Sequence, residues 1–289
     1  MEHSQSTPQF KGLQWSGRTD CGRVRTNNED SFTGLQFDAC EVHHLGAIGE
    51  GPTGETDFAF AVSDGIGGAR GGEHASRIVV QKLMTLLPRA RGHSKPGSET
   101  DLAVKLQELF AEIHRALVYL GESDEECGGM EATLSLCWFT PERMFYGHIG
   151  DGRIYQLPAG TKTLRQLSHD DTYVGWLLRN GKIKEYEARN HPRRKVLQKA
   201  LGAHNQFVTP QVDSVACEAG DVFLLCTDGV YEYVADREMH DLVMNSAPQE
   251  ACDRIVLLAN ERGGHDNSTV CVVRVQHTNS FLEHMRWEQ

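Results

Sequence analysis

Apolar positions along this chain follow two rhythms. Short runs with apolar residues on successive or alternate positions predict strands near 18–21, 31–37, 57–63, 132–140, 143–150, 153–157, 207–215, 221–227 and 268–275. Apolar residues three and four apart predict helices. Ala75, Ile78, Val79, Leu83, Leu86 and Leu87 make one stripe, with Pro88 expected to end it. Leu102, Leu106, Phe110, Ile113 and Leu117 make a second, and further helices are expected near 236–246 and 248–261. Stretches rich in Gly, Pro or charge at 38–56, 88–100 and 121–129 read as loops. Strands that follow one another through short turns predict antiparallel sheets rather than βαβ units. Helix pairs set between strand groups predict two sheets with helices outside, within one α+β domain.

The apolar runs share an unusual ending. "FAFAVSDGIGG" leads from five apolar residues, Phe58 to Val62, into Asp64, with Gly65, Gly67 and Gly68 reading as a tight turn that brings backbone close to something. "MFYGHIGDG" ends at Asp151 and "VFLLCTDG" at Asp228. "NNEDSF" sets Glu29 and Asp30 before a strand, and "GGHDNSTVCVVRV" does the same with Asp266. A single Asp-Gly is most often just a turn. Strands of one core would make these carboxylates converge, and converging like charges need cations.

Composition narrows the field. The chain has 289 residues, 39% of them hydrophobic and 24% charged, as in soluble globular proteins. No apolar run reaches the roughly 18 residues of a membrane span, and residues 1–12 carry no signal-peptide apolar region. A net charge of -11 argues against general nucleic-acid binding and suits a carboxylate metal site. Eight cysteines lack C-x-x-C spacing, and Cys137, Cys226 and Cys271 sit inside apolar strands. They read as reduced core residues, which predicts a cytoplasmic protein.

Asp30, Asp64, Asp228 and Asp266, with a carbonyl such as that of Gly65, form an all-oxygen donor set. Such sets select Mg2+ or Mn2+ over zinc. Two such ions about 4 Å apart hold and activate a bridging water. Arg25 precedes Glu29 by four residues and offers a planar fork for phosphate oxygens, or is a plain surface arginine near a turn.

In order, "RTNNED" (25–30), "VSDGIGG" (62–68), "GMEATLSLC" (129–137), "HIGDGRIYQL" (148–157), "LCTDGVYE" (225–232) and "HDNSTVCVV" (265–273) resemble the successive motifs of PP2C-type (PPM) protein phosphatases, in their short bacterial form. The resemblance implies a four-layer α-β-β-α sandwich and metal-dependent hydrolysis of phosphoserine and phosphothreonine by direct water attack. It implies a phosphatase domain over 15–276, with a flexible stretch at 1–14 and a tail at 277–289. By position, Asp64 and Gly65 match residues that contact both ions. Asp30, Asp228 and Asp266 match the other ligands, with Glu29 behind them through water. Arg25 matches the phosphate-binding arginine, and Asp151 an aspartate that helps hold a third ion in some members. Glu232 falls where a third-metal acid sits in some relatives. The partners implied are phosphoproteins, those of a cognate Ser/Thr kinase, met by a monomer.

Departures accompany the match. Ile66 stands where animal members carry a proposed general-acid histidine, "GDGR" replaces GDSR, and Glu131 takes a common glycine position. His169 or a metal-bound water is left to protonate the leaving group. Residues 161–206 resemble the family's flap, and "NHPRRK" (190–195) within it reads as a solvated charged face or a phosphopeptide contact.

Rival readings fare worse. "CWFTPER" (137–143) matches C-x5-R, yet it contains Pro141, lacks glycine and lies between strands rather than before a helix. "GIGGARGG" has Arg70 where G-x-G-x-x-G needs its last glycine, and no GK[ST] follows. A nuclease would want histidines and a less acidic surface. The alternative kept is a non-catalytic PP2C-like module that binds phosphoproteins.

Overall fold

The computed structural model describes residues 12–67, 71–92, 99–123, 128–141, 143–204 and 208–276. Gly68, residues 1–11 of the expected flexible stretch and the whole expected tail lie outside the described residues.

One sheet takes its strands from β1 (Gly12–Asp20), β4 (Ile48–Gly51), β9 (Arg153–Leu157), β10 (Arg165–Gln166), β12 (Val222–Cys226) and β13 (Ser268–Gln276), in the order β10-β9-β12-β13-β1-β4. The other runs β11-β8-β7-β5-β2-β3. Its strands are β2 (Asp30–Phe37), β3 (Val42–His44), β5 (Asp57–Ile66), β7 (Leu134–Phe139), β8 (Arg143–Ile149) and β11 (Gln211–Ala216), with β6 (Glu131–Ala132) pairing the end of β5. All these pairings are antiparallel.

The continuous apolar runs follow from burial on both faces. Side chains alternate across a strand, so one run serves two cores. In β5, Phe58, Phe60 and Val62 fill the space between the sheets, while Ala59 and Ala61 face the helix layer. Their small size lets α1 (Gly71–Gly92) pack close, while α2 (Glu99–Ser123) packs beside α1 over β8 and β11. In β13, Cys271, Val273 and Val275 face the other sheet, and Val270 and Val272 face the second helix layer. That layer is built by α5 (Asp228–Tyr231), α6 (Asp236–Asn245) and α7 (Pro248–Glu261). The result is the expected α-β-β-α stack.

Four expectations are corrected. Helix α1 runs through Pro88 to Gly92, because Leu87 and Ala90 continue the buried stripe and Arg91 Nε bonds buried Asp57 Oδ2 at 2.8 Å. The stretch 38–56 contains edge strands β3 and β4, whose partial exposure leaves little apolar pattern to read. Strand β1 begins at Gly12, so residues 12–14 belong to the sheet and not to a flexible arm. Gly65 is not in a turn: β5 continues to Ile66.

The connection between β10 and β11, which falls within the expected flap and is called so below, carries α3 (Tyr173–Arg179) and α4 (Glu185–Arg189). Thr172 caps α3 by accepting a hydrogen bond from Gly175 N at 2.9 Å. The flap base is tied down by Asp171 N to Gly150 O (2.7 Å), Tyr173 N to Val196 O (2.8 Å) and Gln198 N to Asp171 O (2.7 Å).

Candidate metal centre

The carboxylates meet because of register. Asp30 and Asp64 stand directly opposite each other on β2 and β5, an arrangement that like charges disfavour. From the other sheet, Asp228 follows β12 and Asp266 precedes β13, and these two strands are paired. Asp151 sits in the β8–β9 turn, and β9 pairs β12 on its far side. The site therefore lies where the same ends of both sheets meet.

Local bonds hold each group. The Asp64 N–H donates to Thr133 Oγ1 (2.9 Å), and Thr133 N–H donates back to Asp64 O (2.8 Å). Buried Thr227 donates its hydroxyl to Asp30 Oδ2 at 2.8 Å and accepts from Thr269 N at 3.0 Å. Asn267 ties down the loop between β1 and β2 at three points: its Oδ1 accepts from Glu29 N (2.8 Å), and its Nδ2 donates to Cys21 O and Asn27 O (both 2.9 Å). Gly65 N donates to Glu29 O at 3.1 Å, while a Cβ on Gly65 would collide with the carbonyl of Gly72 at the start of α1. The expected close approach of backbone is therefore real, and its partner is that helix.

Burial and mutual repulsion disturb the acids. Burial pushes Asp30 up to about 7, with the Thr269 and Thr227 hydroxyls opposing and Asp228 and Asp266 adding. Asp151 rises to about 8 through burial, then Asp228 and Asp170. Asp64 is held well above the ordinary range by burial, then by Asp30, Asp228, Asp151 and Asp266. Asp228 is also raised by burial, which the neighbouring Lys195 partly offsets.

The opposing charges come chiefly from Arg25 and Lys195. Arg25 Nη2 pairs Asp266 Oδ1 at 2.9 Å. Lys195 Nζ lies 3.1 Å from Asp228 Oδ2, 3.0 Å from Glu232 Oε2 and 3.5 Å from Asp266 Oδ2. The run "NHPRRK" is mostly exposed, as a solvated face would be, but its last residue, Lys195, reaches the acids of the site. Burial disfavours the Lys195 charge, but Asp228 and Glu232 outweigh that and raise its pKa. Glu232 joins the cluster as expected, and Arg194 approaches it at 3.7 Å. Glu29 packs beside Gly72 and accepts from Asn27 Nδ2 at 3.4 Å.

His169 is not brought in. Its backbone pairs with the Gln211 side chain, its side chain is exposed, and the charges acting on its ring are those of Arg179, Asp171, Lys199 and Asp170. The Cys137 thiol is fully buried between the sheets, and burial raises its pKa well above the usual range, contrary to what a cysteine nucleophile needs.

Several supporting residues lie in the quoted motifs, but only the fold shows what they hold. Arg153 grips Asp170 through two bonds (2.9 and 2.7 Å) and lies 3.6 Å over the Tyr231 ring, joining the flap base to α5. Buried His148 donates from Nε2 to Gly150 O (3.0 Å), since a carbonyl only accepts, leaving Nδ1 to accept from Ser135 Oγ at 2.9 Å. That same Ser135 Oγ explains "GDGR". A Cβ on Gly152 would lie 2.8 Å from it, so a serine at 152 has no room while Ser135 is held by His148.

The donor set fits hard divalent cations: oxygen only, mostly buried, and short of positive charge. As they stand, no three acids among the described residues close into a coordinating cage, with Lys195 and Arg25 paired to them. Fold and site together define a two-sheet α-β-β-α domain with a carboxylate cluster where the sheet ends meet.

The chain belongs to the protein phosphatase 2C family, whose model matches residues 51–255. It is 33% identical over 264 residues to the serine/threonine protein phosphatase PstP of Mycobacterium tuberculosis, covering 91% of this chain and 45% of that protein. This chain therefore spans less than half the length of that relative. The serine/threonine phosphatase stp of Listeria welshimeri is 32% identical over 266 residues, 89% of this chain and 93% of its own. The PstP catalytic domain in complex with two manganese ions superposes with a TM-score of 0.73 at 31% identity, over 92% of this chain and 99% of that one.

Proposed function

We propose that this protein is a Mn2+- or Mg2+-dependent phosphatase that hydrolyses phosphoserine and phosphothreonine in proteins. The observation that carries the reading is the register of Asp30 against Asp64, with Asp228, Asp266 and Asp151 gathered at the same sheet ends. Divalent ions held there would lower the pKa of a water and polarise the phosphoryl group. The chain's own residues have separable tasks. Asp30, Asp64, Asp228 and Asp266, with the Gly65 carbonyl, would hold the two ions, Glu29 would stand behind them, and Asp151 with Glu232 would offer a third position. Thr227 and Asn267 fix the orientation of Asp30 and of the loop bearing Glu29. Arg25 uses one nitrogen on Asp266 and is half-exposed, so its remaining donors suit a phosphate oxygen.

The partners proposed are phosphoproteins modified by a cognate Ser/Thr kinase, met by a monomer in the cytoplasm. Among the described residues, no helix is long and apolar enough to cross a membrane.

Turnover of p-nitrophenyl phosphate and of a phosphothreonine peptide with Mn2+, with and without EDTA, is the test. Activity should vanish with chelator and return with Mn2+. Activity indifferent to EDTA overturns the reading, and phosphopeptide binding without turnover favours the non-catalytic module. Arg25→Ala should raise KM by about tenfold or more, with a smaller fall in kcat. Initial-rate kinetics on the peptide check this, and a fall in kcat alone would remove Arg25 from the phosphate.

A further inference from the structure

Lys195 is placed by the flap base and not by the surface. Its neighbours Val196 and Leu197 are pinned to the start of α3, through Tyr173 N to Val196 O and the bridge Thr172↔Leu197. From that anchor its ammonium reaches three carboxylates, Asp228, Glu232 and Asp266, at 3.1, 3.0 and 3.5 Å. Two of these belong to the proposed two-ion set, and Glu232 to the third position. Yet 45% of the Lys195 side chain is exposed, on a flexible four-carbon stem. The group is therefore bound where a cation belongs but is free to leave.

The geometry points to Lys195 as a tethered cation that shares this cluster with divalent metal and is exchanged out of it as metal loads. The inference rests on the reading of the cluster as a metal site. Two consequences follow from linkage. Lys195 weakens metal binding, and metal binding by the same factor weakens the hold of the cluster on the 190–197 loop. The flap would thus be drawn in when metal is scarce and released when it is bound. Lysine suits this role better than arginine, because a compact ammonium makes point contacts that a better-charged ion can replace.

The test is calorimetric titration of Mn2+ into wild type, Lys195→Met, Lys195→Gln and Lys199→Met, with hydrogen exchange of the 190–197 loop. Lys199 pairs with Asp171 at 3.5 Å, outside the cluster, and controls for the loss of one positive charge. Both Lys195 variants should bind Mn2+ about tenfold tighter in the weakest resolved step, and Lys199→Met within about twofold of wild type. In wild type, Mn2+ should speed exchange of the loop. In the Lys195 variants, the loop should exchange fast with or without metal. Lys195 variants that bind Mn2+ no tighter than wild type overturn the exchange, as does equal tightening by Lys199→Met. Absence of Mn2+ binding by every protein overturns the metal reading as well, so the two failures are distinct.

Discussion

Asp228→Asn is expected to lower turnover by about three orders of magnitude or more while raising the melting temperature of the metal-free protein. The two effects have one cause. Asp228 is 8% exposed, at the start of α5, and its charge acts on Asp30, Asp64 and Asp151. The same buried charge that repels the neighbouring carboxylates would hold cations in the proposed centre. Asparagine keeps the shape but removes the charge, so metal affinity and water activation both fall, in line with losses of about 10²–10³ when one charge-stabilising donor is removed. Without metal, losing a carboxylate whose burial already raises its pKa relieves repulsion. The hydrogen bond from Lys195 is lost, but that ammonium keeps Glu232 and Asp266. Kinetics over a Mn2+ series and melting in EDTA decide the matter. Near-normal turnover would remove Asp228 from the centre. Low turnover with a lower melting temperature would mean that the substitution had merely damaged the fold.

How much of this was legible beforehand depended on burial. Strands β5, β12 and β13 announce themselves because both faces are covered, which writes unbroken apolar runs into the chain. Edge strands β3 and β4 are short and mostly exposed, so no burial imposes a pattern on them. The start of β1 was missed for a related reason: Gln14 and Ser16 interrupt the apolar pattern, although Ser16 is buried. Strand-end aspartates could be found by eye, yet nothing in a period of two says which strand is the neighbour. The pairing of Asp30 with Asp64 is a fact of register alone. The reach of Lys195 into the acids is not legible in sequence, because a run of charges looks the same whether its tips meet water or carboxylates. Thr227 and Asn267 stand beside recognised aspartates, but only the fold shows what they hold.

Removing metal should make the protein's stability fall as pH rises from 6.5 to 8, the reverse of an acid-labile protein. An acid whose folded pKa is raised holds its proton in the native state after the unfolded chain has lost it. Such a group favours folding at low pH, and that contribution disappears as pH passes the folded value. The loss begins above the ordinary carboxylate range and ends near the folded values, so Asp30 at about 7 and Asp151 at about 8 keep it running into this window, with Asp64 acting in the same sense. Asp228, Asp57 and Glu131, all raised by burial, add in the same sense, and the remaining groups act otherwise. The carboxylates held low, Glu238 by its bond from Arg262 and Asp38 by the amides of Cys40 and Glu41, stabilise above the ordinary carboxylate range and change nothing here. His148, lowered by burial, costs stability only below the ordinary histidine value of about 6.5. Buried thiols such as Cys226 and Cys252 act in the same direction as the aspartates, but chiefly above about pH 8.5. Each proton still held costs about 1.4 kcal/mol per pH unit as it is titrated. One to two protons over this window amount to roughly 2–4 kcal/mol, or roughly 5–10 °C for a domain of this size. Mn2+ binds the deprotonated acids and stabilises in proportion to its affinity, so with excess metal the slope should flatten or reverse. Thermal melts in EDTA and in Mn2+ at half-unit pH steps measure both curves. A melting temperature in EDTA that is level or climbs between pH 6.5 and 8 would show that these carboxylates are not crowded together without a cation.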